Sequence, residues 1–391
     1  MKKNKYEIDM CNGTIMDKLI SFSIPLMLSG ILQLMFNAVD IVVVGRFSGS
    51  QALAAVGSTT ALINVFTNLF IGISLGANVL AARYYAAGKT KEMSETVHTA
   101  IALALVSGVA MAVIGVVFAR GALEIMGTPD DVIAKSTLYM RIYFCGMPFF
   151  MMYNYGAAIL RAVGDTKRPL IFLIVSGVIN AVLNLFLVIG FHLDVAGVGI
   201  ATVISQLVSC ILVLRCLHHT ESSYQLHLAK LRIRSVYLKQ IFEVGVPAGI
   251  QSTVINISNA MLQSSVNSFG SIAMAGYTAS NNIFGFLYVS VNSFTQACMS
   301  FTSQNYGVKK LKRMDRVLID CMILSVVVTL ILGSSVYIFG PELLHIYSNQ
   351  ADVIKYGMEI FSYTTVTYFL CGLMDLFPGS TERNRDIPRY R

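Results

Sequence analysis

Long apolar blocks separated by short polar segments dominate this chain. Ten such blocks fall near residues 17–44, 55–85, 97–119, 137–160, 170–191, 196–217, 241–266, 275–303, 317–340 and 356–378. A helix needs about 20 predominantly apolar residues to cross the hydrocarbon core of a bilayer. The pattern therefore predicts an all-α polytopic membrane protein with about ten transmembrane helices, of which the first, second and eighth are long enough to tilt or kink. The polar stretch Met1 to Asp17 contains no apolar run ending in a small-residue cleavage site, so the first span is expected to stay in the protein.

The blocks repeat. Pro25, Phe47 and Tyr84 have counterparts in Pro247, Phe269 and Tyr306, each 222 positions on. After one deletion the offset becomes 221 and matches Lys91 with Lys312, Met93 with Met314 and Asp131-Val132-Ile133 with Asp352-Val353-Ile354. The first copy holds six spans, an even number, so the second re-enters the membrane in the same orientation. Two parallel six-helix repeats are expected to form two lobes about a pseudo-twofold axis along the membrane normal, with a cavity between them. The first lobe covers residues 1–217, a basic cytoplasmic linker 218–240, and the second lobe 241–378. That second lobe has four spans of the expected six. The charged tail 379–391 lies in register with Ala158 to Thr166. One set of synonymous codons for it, read one base later, encodes Leu-Arg-x-x-Gly at the place of Leu160-Arg161-Ala162-Val163-Gly164, so a frameshift is the expectation for this end.

Charge sharpens the picture. Of 391 residues, 55% are hydrophobic and 13% charged, with a net charge of +8. Lysines and arginines cluster in alternate loops: Lys2, Lys3, Lys5 and Lys18, then Arg83, Lys89 and Lys91, then Arg161, Lys167 and Arg168. Arg215 with Lys230 to Lys239, and Lys309 to Arg316, continue the series, against only Arg46, Arg120, Lys135 and Lys355 on the other side. Because cytoplasmic loops retain positive charge, the N-terminus is expected to be cytoplasmic in a multi-pass cell-membrane protein. The excess charge needs no nucleic-acid partner. Seven cysteines form no CxxC and sit mostly within spans, where they read as small buried hydrophobes and not as a metal site or disulfides.

The run Val39-Asp40-Ile41-Val42-Val43-Val44-Gly45-Arg46-Phe47, continuing to Gly57, resembles the first-helix and loop signature of the multidrug and toxic compound extrusion (MATE) family. Leu160-Arg161-Ala162-Val163-Gly164-Asp165-Thr166 resembles the family's Leu-Arg-Gly-x-Gly-Asp-Thr turn, and Gly197-Val198-Gly199-Ile200-Ala201-Thr202 opens the sixth span in the family manner. The resemblance extends from about Asp17 to Pro378. It implies a twelve-helix, two-lobed antiporter that expels amphipathic, often cationic compounds in exchange for sodium ions or protons. It also implies no cofactor beyond the coupling ion, and a protein expected to act as a monomer.

A charge at the centre of a membrane helix costs about 2.5–3.5 kcal/mol on insertion scales, so an intramembrane carboxylate is a functional candidate. Asp40 is the clearest, near the outer end of the first span, where the family places a cation- or proton-binding carboxylate. Asn180 and Asn184, one turn apart on the fifth span, are candidate partners. Members of the family often carry an acid at the position of Asn184; with one formal charge, the site suits a proton better than a sodium ion. The alternative for either Asn is an interhelical hydrogen bond, and for Asp40 a cap at a helix break or a place in the headgroup region. Pro25 and Pro247 each free a backbone carbonyl and allow a kink, a gate in the first helix and a static bend in the seventh. Gln251, Asn256, Asn259, Gln263 and Asn267 give the seventh span a polar path that could face a substrate cavity. Arg141 and Asp375, also within spans, receive no role.

Ala87-Gly88-Lys89-Thr90 lacks the first glycine of a phosphate-binding loop, and no HExxH occurs, so no enzyme activity is expected. His218-His219 reads as a solvated loop pair. A lipid-linked oligosaccharide flippase of related architecture would favour a strongly cationic cavity, whereas few basic residues lie within the spans, and apart from those at the cytoplasmic span ends there is only Arg141. A nonfunctional truncated fragment is the remaining alternative.

Overall fold

In the computed structural model, residues 6–267 and 269–376 are described, and every regular element among them is helical. In chain order they are α1 (Met16–Phe47), α2 (Ser50–Ala86), α3 (Thr90–Ile125), α4 (Asp130–Cys145), α5 (Met147–Ala162), α6 (Lys167–Leu185), α7 (Asp194–His218), α8 (Ser235–Asn267), α9 (Ser271–Gly307), α10 (Leu311–Ile338), α11 (Gly340–His345) and α12 (Ala351–Leu376). Among the described residues six helices are long and apolar enough to cross a membrane on their own: Met16–Phe47, Gln51–Ala86, Thr90–Ile125, Lys167–Gly190, Asp194–His218 and Leu311–Ile338. The fourth expected span is two helices, broken at Gly146 and restarted with Pro148 in the first turn of α5, where a missing N–H costs nothing. The tail 379–391 lies outside the described residues.

The repeat is visible in helix boundaries. α2 and α9 begin, and α3 and α10 begin, 221 positions apart. Gly49 and Gly270, the residues before α2 and α9, take φ of 85° and 96°, which only glycine adopts without strain. Gly88, before α3, has φ 68°, and its counterpart before α10 is Lys309 with φ 59°. The second copy thus keeps the left-handed turn after losing the glycine that suits it.

The chain divides into two compact units: Met1–Glu7 with Leu32–Thr253, and Ile8–Ile31 with Val254–Arg391. The divisions fall inside α1 and α8, at Leu32 and Val254, which are themselves 222 positions apart. Each lies seven residues after its helix's internal proline, Pro25 or Pro247.

In the first unit, α2 to α7 enclose a core that includes Val97, Ile101, Phe144, Met147, Met151 and Tyr155. The early part of α8 joins it through Ile241. Gly72 and Gly249 meet backbone to backbone, so a Cβ on Gly72 would overlap the Gly249 main chain. Close approach of this kind is the usual reason for small residues at membrane helix contacts. Glu7 accepts hydrogen bonds from the hydroxyls of Tyr85 and Tyr224, both 2.7 Å.

In the second unit, Leu19, Phe22 and Leu26 of α1 pack with Phe301, Val317 and Cys321 of α9 and α10, Phe22 meeting Phe301 edge to face at 5.5 Å. Ile283, Phe284, Leu287, Val336 and Phe361 form a further cluster among α9, α10 and α12. The segment before α1 is held by Asn305 Nδ2 on the Met10 carbonyl at 3.1 Å and Lys310 Nζ on the Cys11 carbonyl at 2.9 Å. None of the seven cysteines, all of them described, is in a disulfide; Cys11, Cys210, Cys298 and Cys321 are buried, whereas Cys145 and Cys371 are exposed.

Candidate functional site

The later half of α1, belonging to the first unit, carries Asp40. It is 8% exposed, and its partners come from α6 and α7. Asn184 Nδ2 donates to Asp40 Oδ1 and, at 3.2 Å, to Asn180 Oδ1. Asn180 Nδ2 reaches Thr202 Oγ1 at 3.5 Å, and the Thr202 hydroxyl lies 3.5 Å from Asp40 Oδ2 and 2.9 Å from the Val198 carbonyl. The four side chains close a ring of polar contacts. Asn184 Oδ1, also buried, has no hydrogen-bond partner. No basic side chain pairs with Asp40 among the described residues. The phenols of Tyr139 and Tyr143 on α4 lie within its electrostatic reach.

Local structure explains the placement. Gly177, Asn180 and Asn184 share one face of α6 by their three- and four-residue spacing. A Cβ on Gly177 would overlap the ring of Phe36, one turn before Asp40, so glycine here lets α1 side chains seat against α6. Immediately after Asn184 and Leu185, α6 changes to a π-helical turn, Phe186–Gly190, a distortion often found at functional positions. The connection to α7 is tight: Leu193 N–H donates to the Leu187 carbonyl at 3.1 Å. Asp194, with φ 52°, is paired to Lys135 Nζ of α4 at 2.6 Å. This connection fixes the register of the Asn pair against Thr202.

A buried carboxylate without a counter-ion is costly, and each hydrogen bond to a charged acceptor returns about 1.5–3 kcal/mol. Asn184 Nδ2 donates to Asp40, the single Thr202 hydroxyl hydrogen is shared between Asp40 Oδ2 and the Val198 carbonyl, and one unmatched acceptor stands beside them. The arrangement offers oxygen atoms and one negative charge to a small cation or a proton. Nothing here provides a nucleophile with its base, and no cluster of three or more His, Cys, Asp or Glu suited to a metal occurs among the described residues.

Other residues singled out in the sequence are placed as follows. Pro25 is buried in α1 within the second unit, with Ser29 Oγ on its carbonyl at 2.7 Å; Pro247 is exposed on α8 within the first. On α8, Gln251 is exposed in the first unit, while Asn256 is half-buried and Asn259 exposed in the second. The side chains of Gln263 and Asn267 lie outside the described residues. Arg141 is exposed and donates to the Val116 carbonyl at 3.2 Å. His218 Nδ1 is 2.9 Å from the Leu226 carbonyl, so it is tied to the linker and not free in a loop. Sequence reading missed Thr202, a hydroxyl inside an apolar run, whose signal was its place in the Gly-Val-Gly-Ile-Ala-Thr motif. In the second unit, Asp375 of α12 is half-buried near Tyr288, Tyr368 and Cys371.

Membrane-length helices and, within the first unit, a buried carboxylate with no basic partner among the described residues fit a multi-pass membrane transporter. The MatE family model matches residues 25–186 and 247–380, each block opening on one of the paired prolines, and the chain belongs to the MATE family of efflux transporters. The probable multidrug resistance protein YoeA of Bacillus subtilis (strain 168) is 30% identical over 358 residues, covering 90% of this chain and 77% of that protein. The multidrug export protein MepA of Staphylococcus aureus (strain MSSA476) is 21% identical over 366 residues, 92% of this chain and 80% of that one. Among solved structures, the outward-facing conformation of a multidrug resistance MATE family transporter of the MOP superfamily shares the fold with TM-score 0.90 at 20% identity, covering 98% of this chain and 87% of its own. A MOP superfamily transporter from Pyrococcus furiosus Vc1 (DSM3638) also superposes at TM-score 0.90, with 22% identity and the same coverage.

Proposed function

We propose that this chain is a secondary active antiporter that expels amphipathic or cationic compounds in exchange for protons or sodium ions. Its N-terminus is cytoplasmic, as the distribution of lysine and arginine supports. The carrying observation is Asp40, buried without a cationic partner and held by Asn184 and Thr202. Such a carboxylate can be neutralised by a proton, by sodium or by a cationic drug, and competition among them couples opposed fluxes. The coupling ion must bind the two facing states with different affinity, since a ligand with equal affinity for both shifts nothing. Having an amide and not an acid at 184 leaves one charge at the site, which favours a proton. The unmatched Asn184 Oδ1 would serve as a neutral oxygen ligand if sodium binds.

The test is dye transport by purified protein in liposomes, with a proton gradient or a sodium gradient imposed separately. Efflux of a cationic dye driven by the proton gradient alone is the expected result. Equal dye movement with no gradient at all would remove antiport from the account.

A further inference from the structure

A cavity of about 480 Å³ in the first unit lies where the start of α3 meets the segment leading into α8. It is lined by Lys91, Ser94, Glu95, Lys230, Leu231 and Arg232. Glu95 is the one acid in its lining, and both of its oxygens are occupied. Arg232 donates through Nη2 to Oε1 and through Nε to Oε2 at 3.3 Å, and Arg234 Nε also reaches Oε2 at 3.3 Å. Two guanidinium groups on one carboxylate leave an excess positive charge before Lys91 and Lys230 are counted. Neither lysine has an ion-pair partner among the described residues, and both are exposed. The cavity therefore presents two free ammonium groups, a hydroxyl and a surplus guanidinium charge. Its chemistry fits a phosphodiester.

Three residues further along the chain, a second cavity of about 500 Å³ opens along α8, lined by Leu238, Phe242 and Val246 with Ser235, Lys239 and Glu243. Leu238, Phe242 and Val246 are four residues apart and share one side of the helix. This groove is apolar where the first cavity is basic, and Arg232 of one is separated from Ser235 of the other by Ile233 and Arg234. A charged head site followed by an apolar channel matches the division of a membrane lipid. Basic pockets at the ends of membrane helices attract anionic lipid heads.

We propose that these two cavities hold one anionic glycerophospholipid, its phosphodiester among Lys91, Lys230 and Arg232 and an acyl chain along Leu238, Phe242 and Val246. A zwitterionic lipid would place its own ammonium group among these cations and lose the advantage. Each lysine is worth about five-fold in affinity for an anionic head at the membrane surface, so the pair is worth about twenty-five-fold.

The test is native mass spectrometry of the purified full chain in mild detergent, titrated with phosphatidylglycerol or phosphatidylcholine. Expected is a retained phosphatidylglycerol adduct, at least ten-fold favoured over phosphatidylcholine and lost in Lys91→Gln/Lys230→Gln. The charge-preserving Lys91→Arg/Lys230→Arg variant restores it, which separates loss of charge from loss of fold. Phe242→Ser weakens the lipid adduct. Equal adducts of the two lipids overturn the proposal. So does an adduct unchanged in the double Gln variant, or full displacement of the lipid by inorganic phosphate, which would mark a free-anion site. None of these readouts involves transport, so the lipid site and the antiport reading can fail separately.

Discussion

Replacing Asn184 with Asp probes the Asp40 cluster at its most specific contact. The amide that now donates to Asp40 Oδ1 would become a second carboxylate facing the first. Two unit charges 4 Å apart repel by about 4 kcal/mol at an effective dielectric of 20, and the lost donor had contributed about 1.5–3 kcal/mol. A cation shared by the two carboxylates relieves the repulsion. Since each 1.4 kcal/mol is a factor of ten, the repulsion alone corresponds to roughly three decades of cation affinity. Allowing for relaxation of side chains, Asn184→Asp is expected to bind sodium at least about 100-fold more tightly than the parent. Calorimetric titration of the purified chain with sodium at alkaline pH, where protons compete least, measures this. An unchanged sodium affinity in a folded variant would refute the placement of residue 184 against Asp40.

Further expectations follow from neighbouring contacts. Thr202→Val keeps the shape but leaves Asn180 Nδ2 and Asp40 Oδ2 each short of a partner; a loss of about 1 kcal/mol, about five-fold in coupling-cation affinity, is expected by the same calorimetry. Gly177→Val drives its side chain into Phe36, which should cost about 1–3 kcal/mol in thermal unfolding. Phe36→Ala in the same chain should recover most of it, and a cycle with no coupling energy would deny the contact. Lys309→Gly removes a side chain from a left-handed backbone position; after allowing for the greater freedom of glycine when unfolded, a gain of about 0.5–1 kcal/mol is expected in denaturation. A destabilised variant would show that Lys309 makes a compensating contact.

Much of the molecule could be read from its residues. The apolar blocks became helices, and the repeat reappeared in the starts of α3 with α10, 221 apart as the residue matches give, and of α2 with α9, 221 apart where the residue matches give 222. Asp40 and Asn184 were legible because a charge and an amide stand out against apolar neighbours. Thr202 was not, because a threonine hydroxyl can satisfy itself on its own helix, here on the Val198 carbonyl, and its second partner lies 162 residues away. The break at Gly146 was lost because hydropathy averages across a single residue between two apolar helices. The division of α1 and α8 between units was equally hidden: each helix is continuous in sequence, and only packing, Phe22 on Phe301 or Gly249 on Gly72, assigns its halves. The tyrosines holding Glu7 are 78 and 217 residues from it, a distance no local pattern spans.

On the proposed function, the Asp40 carboxylate couples ion entry to substrate exit. This coupling is tested most directly by comparing the parent and Asp40→Asn chains in liposomes, recording dye efflux under an imposed proton gradient and then under a sodium gradient. The amide keeps the size of the side chain and removes its charge, so insertion and folding should persist while gradient-driven efflux disappears. Efflux by Asp40→Asn at the parent's rate and with the parent's ion dependence would contradict the account.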